Sequence, residues 1–267
     1  MKRTSILRIS IAAVSVSILF AAVSNAEPLR LGEDAPLVAA ASDLQFALDE
    51  IADRFTADTG QPIGLTFGSS GNFARQIEQG APFELYFSAD EDFVFRLADG
   101  GHTRDRGVLY AIGRIVLFTP HESPLNPEEG LAGVKVALEA GAIRRFAIAN
   151  PEHAPYGRAA EQALRRFGLW ERLRLHIVLG ENVSQAAQFA STGNSQGGII
   201  AYSLALAPSV RERGGSALIP EDAHEPLRQR MVLTRRATPA AEKFYDYIQS
   251  EPARQIMYRY GFALPGE

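Results

Sequence analysis

The chain has 267 residues, with 27 Lys and Arg against 31 Asp and Glu, and no cysteine. The lack of cysteine excludes disulfides, thiolate metal sites and a lipid anchor attached to a cysteine. A formal charge of −4 provides no general attraction for nucleic acid. If the ligand is an anion, it must be attracted locally, which favours helix N-termini over a basic patch.

The N-terminal segment 1–26 is typical of a secretory signal peptide. Basic residues at its start precede an apolar run over 9–23, and the segment ends in the small-residue sequence SNA. The run is interrupted by serines and is shorter than the roughly 20 residues that span a bilayer. We therefore expect cleavage after Ala26 and a periplasmic protein. Removing 26 residues that include three basic and no acidic side chains would leave 241 residues and a formal charge near −7.

After a polar stretch over 27–35, predicted strands alternate with predicted helices. Leu44, Leu48, Ile51 and Phe55 recur at helical spacing, whereas the strand segments alternate or are continuously apolar. The predicted strands are 36–41, 63–67, 83–87, 114–118, 134–138, 177–179, 198–201 and 230–234. The main predicted helices are 44–55, 73–79, 92–98, 160–170, a segment ending at 189, 239–249 and 252–258.

This alternation predicts an α/β fold in which mixed, mostly parallel sheets are flanked by helices. The predicted strands 114–118 and 230–234 bracket the middle of the chain, so we expect the backbone to cross between two lobes there. The predicted lobes are 27–115 together with 232–267, and 116–231. The C-terminal helices then return to the first predicted lobe.

Four turns follow predicted strands and each opens a helix, around Ser42, Ser70, Tyr156 and Val183. In open α/β sheets this edge is where ligands bind. A helix start has backbone N–H groups without intrahelical acceptors and about half a positive charge, and serine hydroxyls add donors without adding charge. Several such turns aimed at one point would form an uncharged anion site. Each serine taken alone is more often an ordinary helix cap.

Several segments carry a family resemblance. They are AAAS at 39–42, FGSSGNFARQIEQGAPFELYFSAD at 67–90, NPEHAPYG at 150–157, FYDY at 244–247 and YRYGF at 258–262. Over residues 37–264 the chain resembles the periplasmic molybdate-binding proteins of molybdate ABC transporters. The resemblance implies a two-lobe periplasmic-binding-protein fold of type II with the ligand cleft between the lobes.

The resemblance also implies the ligand contacts. Ser42 and Ser70 are expected to donate from both hydroxyl and backbone N–H, and Tyr156 and Val183 from backbone N–H alone. Many family members have a tyrosine that donates its hydroxyl where this chain has Ala201, so either the neighbouring Tyr202 replaces it or the site has one donor fewer. An acid beside an anion site repels the ligand, so we expect Asp43 to point outward.

The expected function is capture of molybdate, and also tungstate, for an ABC import permease by a monomer that needs no cofactor. One alternative is the same fold with sulfate, phosphate or a phosphonate as ligand. A secreted α/β hydrolase is an alternative of another class, although GSSG at 68–71 is not a nucleophile elbow and no base partner is evident. The five histidines show no metal-ligand spacing, so no metal site is expected.

Overall fold

The computed structural model describes residues 35–266, and the proposed signal peptide lies outside these residues. The described chain contains two five-stranded sheets. In chain order the strands are β1 Leu37–Ala41, β2 Gly64–Gly68, β3 Leu85–Ser88, β4 Val108–Gly113, β5 Ile115–Pro120, β6 Phe146–Ala149, β7 Ile177–Gly180, β8 Gly197–Ala201, β9 Gly214–Leu218 and β10 Leu227–Leu233.

The two sheets have the same topology. The first has the order β2-β1-β3-β10-β4 and the second β7-β6-β8-β5-β9. In the first, β1 is parallel to β2 and β3, and β10 is antiparallel to β3 and β4. In the second, β6 is parallel to β7 and β8, and β5 is antiparallel to β8 and β9. We call the part built on the first sheet lobe 1 and the part built on the second sheet lobe 2.

Helices cover both sheets. They are α1 Gln45–Thr59, α2 Ser70–Glu78, α3 Glu91–Asp99, α4 Gly130–Glu139, α5 Pro155–Arg166, α6 Trp170–Leu173, α7 Val183–Ser191, α8 Tyr202–Leu206, α9 Pro208–Arg211, α10 Pro239–Ile248 and α11 Glu251–Arg259. A 3-10 turn, Ser42–Leu44, leads directly into α1. None of the helices within residues 35–266 is long and apolar enough to cross a membrane.

The core of lobe 1 lies on both faces of its sheet because successive strand side chains point in opposite directions. Val38 and Ala40 of β1 pack with α1, α10 and α11, so the C-terminal helices belong to this lobe. Ala39, between them, packs with α2 and α3 on the other face. Lobe 2 has a continuous core around β5, β6 and β8, which Ala41 and Ala89 of lobe 1 join at the boundary between the lobes.

The chain crosses from lobe 1 to lobe 2 at Arg114, between β4 and β5. It returns between β9 and β10, and all pairing partners of β10 lie in the first sheet. The sequence-based lobe boundary at 231/232 falls inside β10. Because β10 pairs only within the first sheet, Gln229 belongs to lobe 1, whereas the sequence-based boundary placed it in lobe 2. Gln229 takes part in the site described below.

One predicted strand, 134–138, is wrong, because these residues lie in helix α4. Leu131, Val134 and Leu138 are buried at helical spacing, while Val136 is 65% exposed. The VKVAL pattern alternates over too short a window to separate a strand from a helix of this kind. The strand of this region is β6, which follows the helix and was not predicted. The other seven predicted strands coincide with β1, β2, β3, β5, β7, β8 and β10 within a few residues.

Candidate functional site

The carboxyl ends of strands from both sheets meet at one small cavity between the lobes. Lobe 1 contributes the turns after β1, β2 and β3, and lobe 2 contributes those after β6 and β7. The lining residues are Ala41, Ser42, Asp43, Gly68, Ser69, Ser70, Ala89, Ala154, Pro155, Tyr156, Asn182 and Val183. The structure thus brings together Ser42, Ser70, Tyr156 and Val183, four of the five residues that the sequence singled out.

Three helix N-termini point their first turns at this cavity. Ser70 is the first residue of α2, Tyr156 the second of α5 after Pro155, and Val183 the first of α7. Backbone N–H groups at these positions have no intrahelical acceptor, and the helix dipoles make their surroundings positive. Asn182 caps α7 through its side chain, which accepts from the N–H of Gln185 at 3.0 Å. The Val183 N–H is therefore left to another acceptor.

The two serine hydroxyls are oriented as donors. Ser42 Oγ accepts from the backbone N–H of Ser184 at 3.2 Å, and Ser70 Oγ accepts from that of Ala89 at 3.0 Å. Both serines are buried, at 2% and 1% exposure. Since each oxygen already receives a backbone donor, its own hydrogen is available to a ligand in the cavity. Neither hydroxyl caps the helix that its own residue begins.

The cavity offers donors without positive side chains. None of its lining residues is Lys, Arg or His. The empty space, including the part open to solvent, is about 190 Å³. The arrangement suits a small anion that is bound by uncharged groups.

The expectation that Asp43 points outward is wrong. Its side chain is buried, and its Oδ2 accepts from the Tyr156 hydroxyl at 3.0 Å and from Gln229 Nε2 at 2.7 Å. Burial raises the pKa of the Asp43 carboxyl from 3.8 to about 6, although the hydrogen bonds from Gln229, from Tyr156 and from its own backbone N–H act to lower it. Asp43 and Gln229 belong to lobe 1 and Tyr156 to lobe 2. A buried acid therefore joins the two lobes at the edge of the cavity.

Further hydrogen bonds close the lobes around the cavity. The N–H of Gly71 in lobe 1 donates to the carbonyl of His153 in lobe 2 at 3.0 Å. A Cβ at Gly71 would lie 2.7 Å from that carbonyl oxygen, so only glycine allows this approach. On the opposite side, Ser184 Oγ donates to Gln45 Oε1 at 2.6 Å. The lobes are in a closed arrangement.

Comparison with known proteins identifies the family. The model of the bacterial extracellular solute-binding proteins matches residues 36–263. The chain belongs to this family. It is 33% identical over 230 residues to the molybdate-binding protein ModA of Azotobacter vinelandii, a match covering 85% of this chain and 89% of the relative. It is 34% identical to ModA of Rhodobacter capsulatus, covering 85% and 87%.

The fold of this solute-binding protein agrees with the solved structure of the Azotobacter vinelandii periplasmic molybdate-binding protein. The TM-score is 0.77 at 29% identity, over 86% of this chain and 99% of the other. The two-lobe periplasmic-binding-protein fold of type II, predicted from the sequence, is thereby confirmed. Members of the family act in transport.

Tyr202 lies away from the cavity of this solute-binding protein. It is the first residue of α8, its backbone N–H donates to the carbonyl of Arg114 at 2.9 Å, and its ring packs against Gly261. Ala201, at the family tyrosine position, is fully buried at the end of β8. Neither residue is part of the cavity lining.

Ser69 and His153 form the one contact at the cavity that resembles a nucleophile and a base, with Ser69 Oγ 2.8 Å from His153 Nδ1. Ser69 Oγ also donates to the His153 carbonyl at 2.6 Å. Because the hydroxyl has a single hydrogen, Nδ1 must be the donor in its contact with Oγ. A general base would accept the hydroxyl hydrogen, whereas here His153 Nδ1 donates to Ser69 Oγ, so the pair does not support the hydrolase alternative. The pair instead links lobe 1 to lobe 2.

Sequence reasoning missed the partners of Asp43 and Ser69. Gln229 lies in a strand and His153 in a turn, and neither is part of a local motif. The only signal was the stretch NPEHAPYG at 150–157, which contains both His153 and Tyr156. Their roles depend on contacts with lobe 1, which no spacing within the stretch can indicate.

Proposed function

We propose that this solute-binding protein captures molybdate in the periplasm and delivers it to the permease of an ABC importer. The observation that carries the proposal is the convergence of uncharged donors from four chain segments on one cavity without a cationic side chain. Two relatives that match most of this chain are named molybdate-binding proteins. Ser42 and Ser70 bind through hydroxyl and backbone N–H, and Tyr156 and Val183 through backbone N–H.

The energetics are adequate for such a site. Hydrogen bonds to a charged group contribute about 1.5–3 kcal/mol each, and micromolar binding requires about 8 kcal/mol. The six donors of these four residues contribute about 9–18 kcal/mol before the costs of desolvation and ordering, which leaves room for micromolar binding. No cofactor or cationic side chain is required.

Capture proceeds by closure of the lobes. An anion that contacts Ser42 and Ser70 in lobe 1 and Tyr156 and Val183 in lobe 2 binds fully only when the lobes meet, so it shifts the population toward the closed form. The permease then recognises the closed monomer. Tungstate has nearly the size and shape of molybdate and binds as well, whereas sulfate is smaller and contacts the fixed donors poorly.

Calorimetry tests the proposal. The protein without its first 26 residues is titrated with molybdate, tungstate, sulfate and phosphate. We expect one site per chain, with molybdate and tungstate bound at least about tenfold more tightly than the other two anions. Tighter binding of sulfate or phosphate, or no binding of any oxyanion, would contradict the assignment. The mass of the secreted protein tests cleavage after Ala26.

A further inference from the structure

Asp43 is the one acidic residue among those that line the cavity, and a negative charge there opposes an anionic ligand. Asp43 follows Ser42 in the 3-10 turn after β1 and is 1% exposed. It lines the cavity together with Ser42 and Ser70. Asp43 is therefore part of the cavity wall, and its carboxyl is desolvated.

The two oxygens of Asp43 are bonded unequally. Oδ2 accepts from the Tyr156 hydroxyl and from Gln229 Nε2. Gln229 is itself held by the Tyr110 hydroxyl, which donates to its Oε1 at 2.7 Å. Oδ1 is buried and has no hydrogen-bond partner within residues 35–266. A neutral carboxyl has this asymmetry, with one oxygen as acceptor and the other carrying a hydrogen that remains to be donated.

Among residues 35–266, no charged group faces Asp43 that would keep it ionised. The titratable groups around it are Tyr156 from α5 and, behind Gln229, Tyr110 from β4, and burial raises the pKa of both hydroxyls well above the usual value. From β10 comes the neutral Gln229, and from α8 Ser203, whose hydroxyl donates to the Asp43 carbonyl at 2.8 Å. An ionised carboxylate next to a dianion would be buried here without compensation, which is strongly unfavourable.

Building on the proposed capture of a dianion, we propose that Asp43 is a specificity-determining residue that meets the anion as a neutral acid and donates from Oδ1, so that each binding event takes up one proton from solvent. A neutral Asp43 adds a donor for a fully ionised oxyanion. A hydrogen phosphate ion carries its own proton and needs an acceptor, which the neutral acid does not supply. A neutral Asp43 therefore selects fully ionised anions over anions that carry a proton.

The sign of the pH dependence follows from the Asp43 pKa. In the closed protein it is raised from 3.8 to about 6, and a bound dianion raises it further. Closure over the anion therefore favours the protonated carboxyl. Affinity is highest at low pH and falls as the pH rises through 6, by up to about tenfold per unit, until the pKa of the complex is passed.

The test is titration of the whole secreted protein with molybdate at pH 7 in buffers of different ionisation enthalpy. We expect uptake of about one proton per anion. Asp43→Asn keeps a donor in the same place but cannot bind a proton, so its proton uptake disappears and its affinity is constant between about pH 6 and 8. Asp53→Asn, on the exposed side of α1, is the matched control and retains the wild-type uptake.

A second variant covers the case in which Asp43→Asn does not fold, which thermal unfolding detects. Tyr156→Phe removes a donor to Oδ2 that favours the ionised form, so its proton uptake persists to higher pH than in the wild type.

Molybdate binding without proton uptake, or the same pH profile in wild type and Asp43→Asn, overturns the role of Asp43 and leaves the proposed function intact. Phosphate binding that Asp43→Asn abolishes overturns it as well, because Asp43 would then be an acceptor. Failure of the wild type to bind molybdate contradicts the proposed function.

Discussion

The two lobes have the same sheet topology and nevertheless present different chemistry to the cavity. Besides the backbone N–H groups of Ser42 and Ser70, lobe 1 contributes polar side chains, those of Ser42, Ser70 and Asp43. At the corresponding strand ends, lobe 2 contributes the first backbone N–H groups of α5 and α7, at Tyr156 and Val183. The same sheet topology thus supplies side-chain groups to the site from lobe 1 and backbone N–H groups alone from lobe 2.

The difference originates in the turns after the strands. In lobe 1, Ser42 directly follows the last residue of β1, and Ser70 follows β2 after a single residue, so the helix starts with a serine at the cavity. In lobe 2, five residues separate β6 from α5, and His153 within them carries the contacts with lobe 1. The longer turn positions the backbone and uses its side chains to fasten the lobes. Substitutions are therefore expected to act differently in the two lobes.

The largest effect is expected in lobe 1. Ser42→Ala or Ser70→Ala removes one charge-assisted hydrogen bond and weakens molybdate binding at least about tenfold, and the double variant at least about a hundredfold. Calorimetry measures the affinity, with Ser209→Ala at an exposed position as control. Unchanged affinity in both single variants would place the anion elsewhere.

An intermediate effect is expected in lobe 2, where the backbone and not the side chain is the donor. Proline is well tolerated at the first position of a helix and has no N–H, so Val183→Pro removes the proposed donor while α7 can still form. We expect a loss of at least about tenfold in affinity. Val183→Ala retains the N–H and changes the affinity by less than about threefold. Equal losses in the two variants would show that the Val183 side chain, not its N–H, matters.

The smallest effect is expected at Tyr202, the residue that would give lobe 2 a side-chain donor. Its ring packs against Gly261 and lies outside the cavity lining. Tyr202→Phe is expected to change molybdate affinity by less than about twofold. A loss of tenfold would mean that the hydroxyl reaches the anion after a local shift, and the contrast between the lobes would no longer hold.

Much of the fold could be predicted because its signals are local. Strands such as β1 and helices such as α1 follow from apolar periodicity over fewer than 20 residues. Elements with a weaker periodic pattern were missed: α4 was taken for a strand, and β4, β6 and β9 were not predicted. The sheet orders, in which β10 returns to lobe 1 after the whole of lobe 2, depend on pairing between distant segments.

The sequence by itself determined the α/β class, the turns that open helices after strands, and the four residues Ser42, Ser70, Tyr156 and Val183 that meet at the cavity. The class and the turns follow from neighbouring residues, because helix starts and strand periods are local, whereas the four residues within the turns were indicated by the family resemblance. Only the tertiary structure decided that Asp43 is buried, since its partners Tyr156 and Gln229 are 113 and 186 residues away along the chain. Whether an acid faces solvent or a closed cleft depends on which surface packs against it, and that surface belongs here to distant parts of the chain.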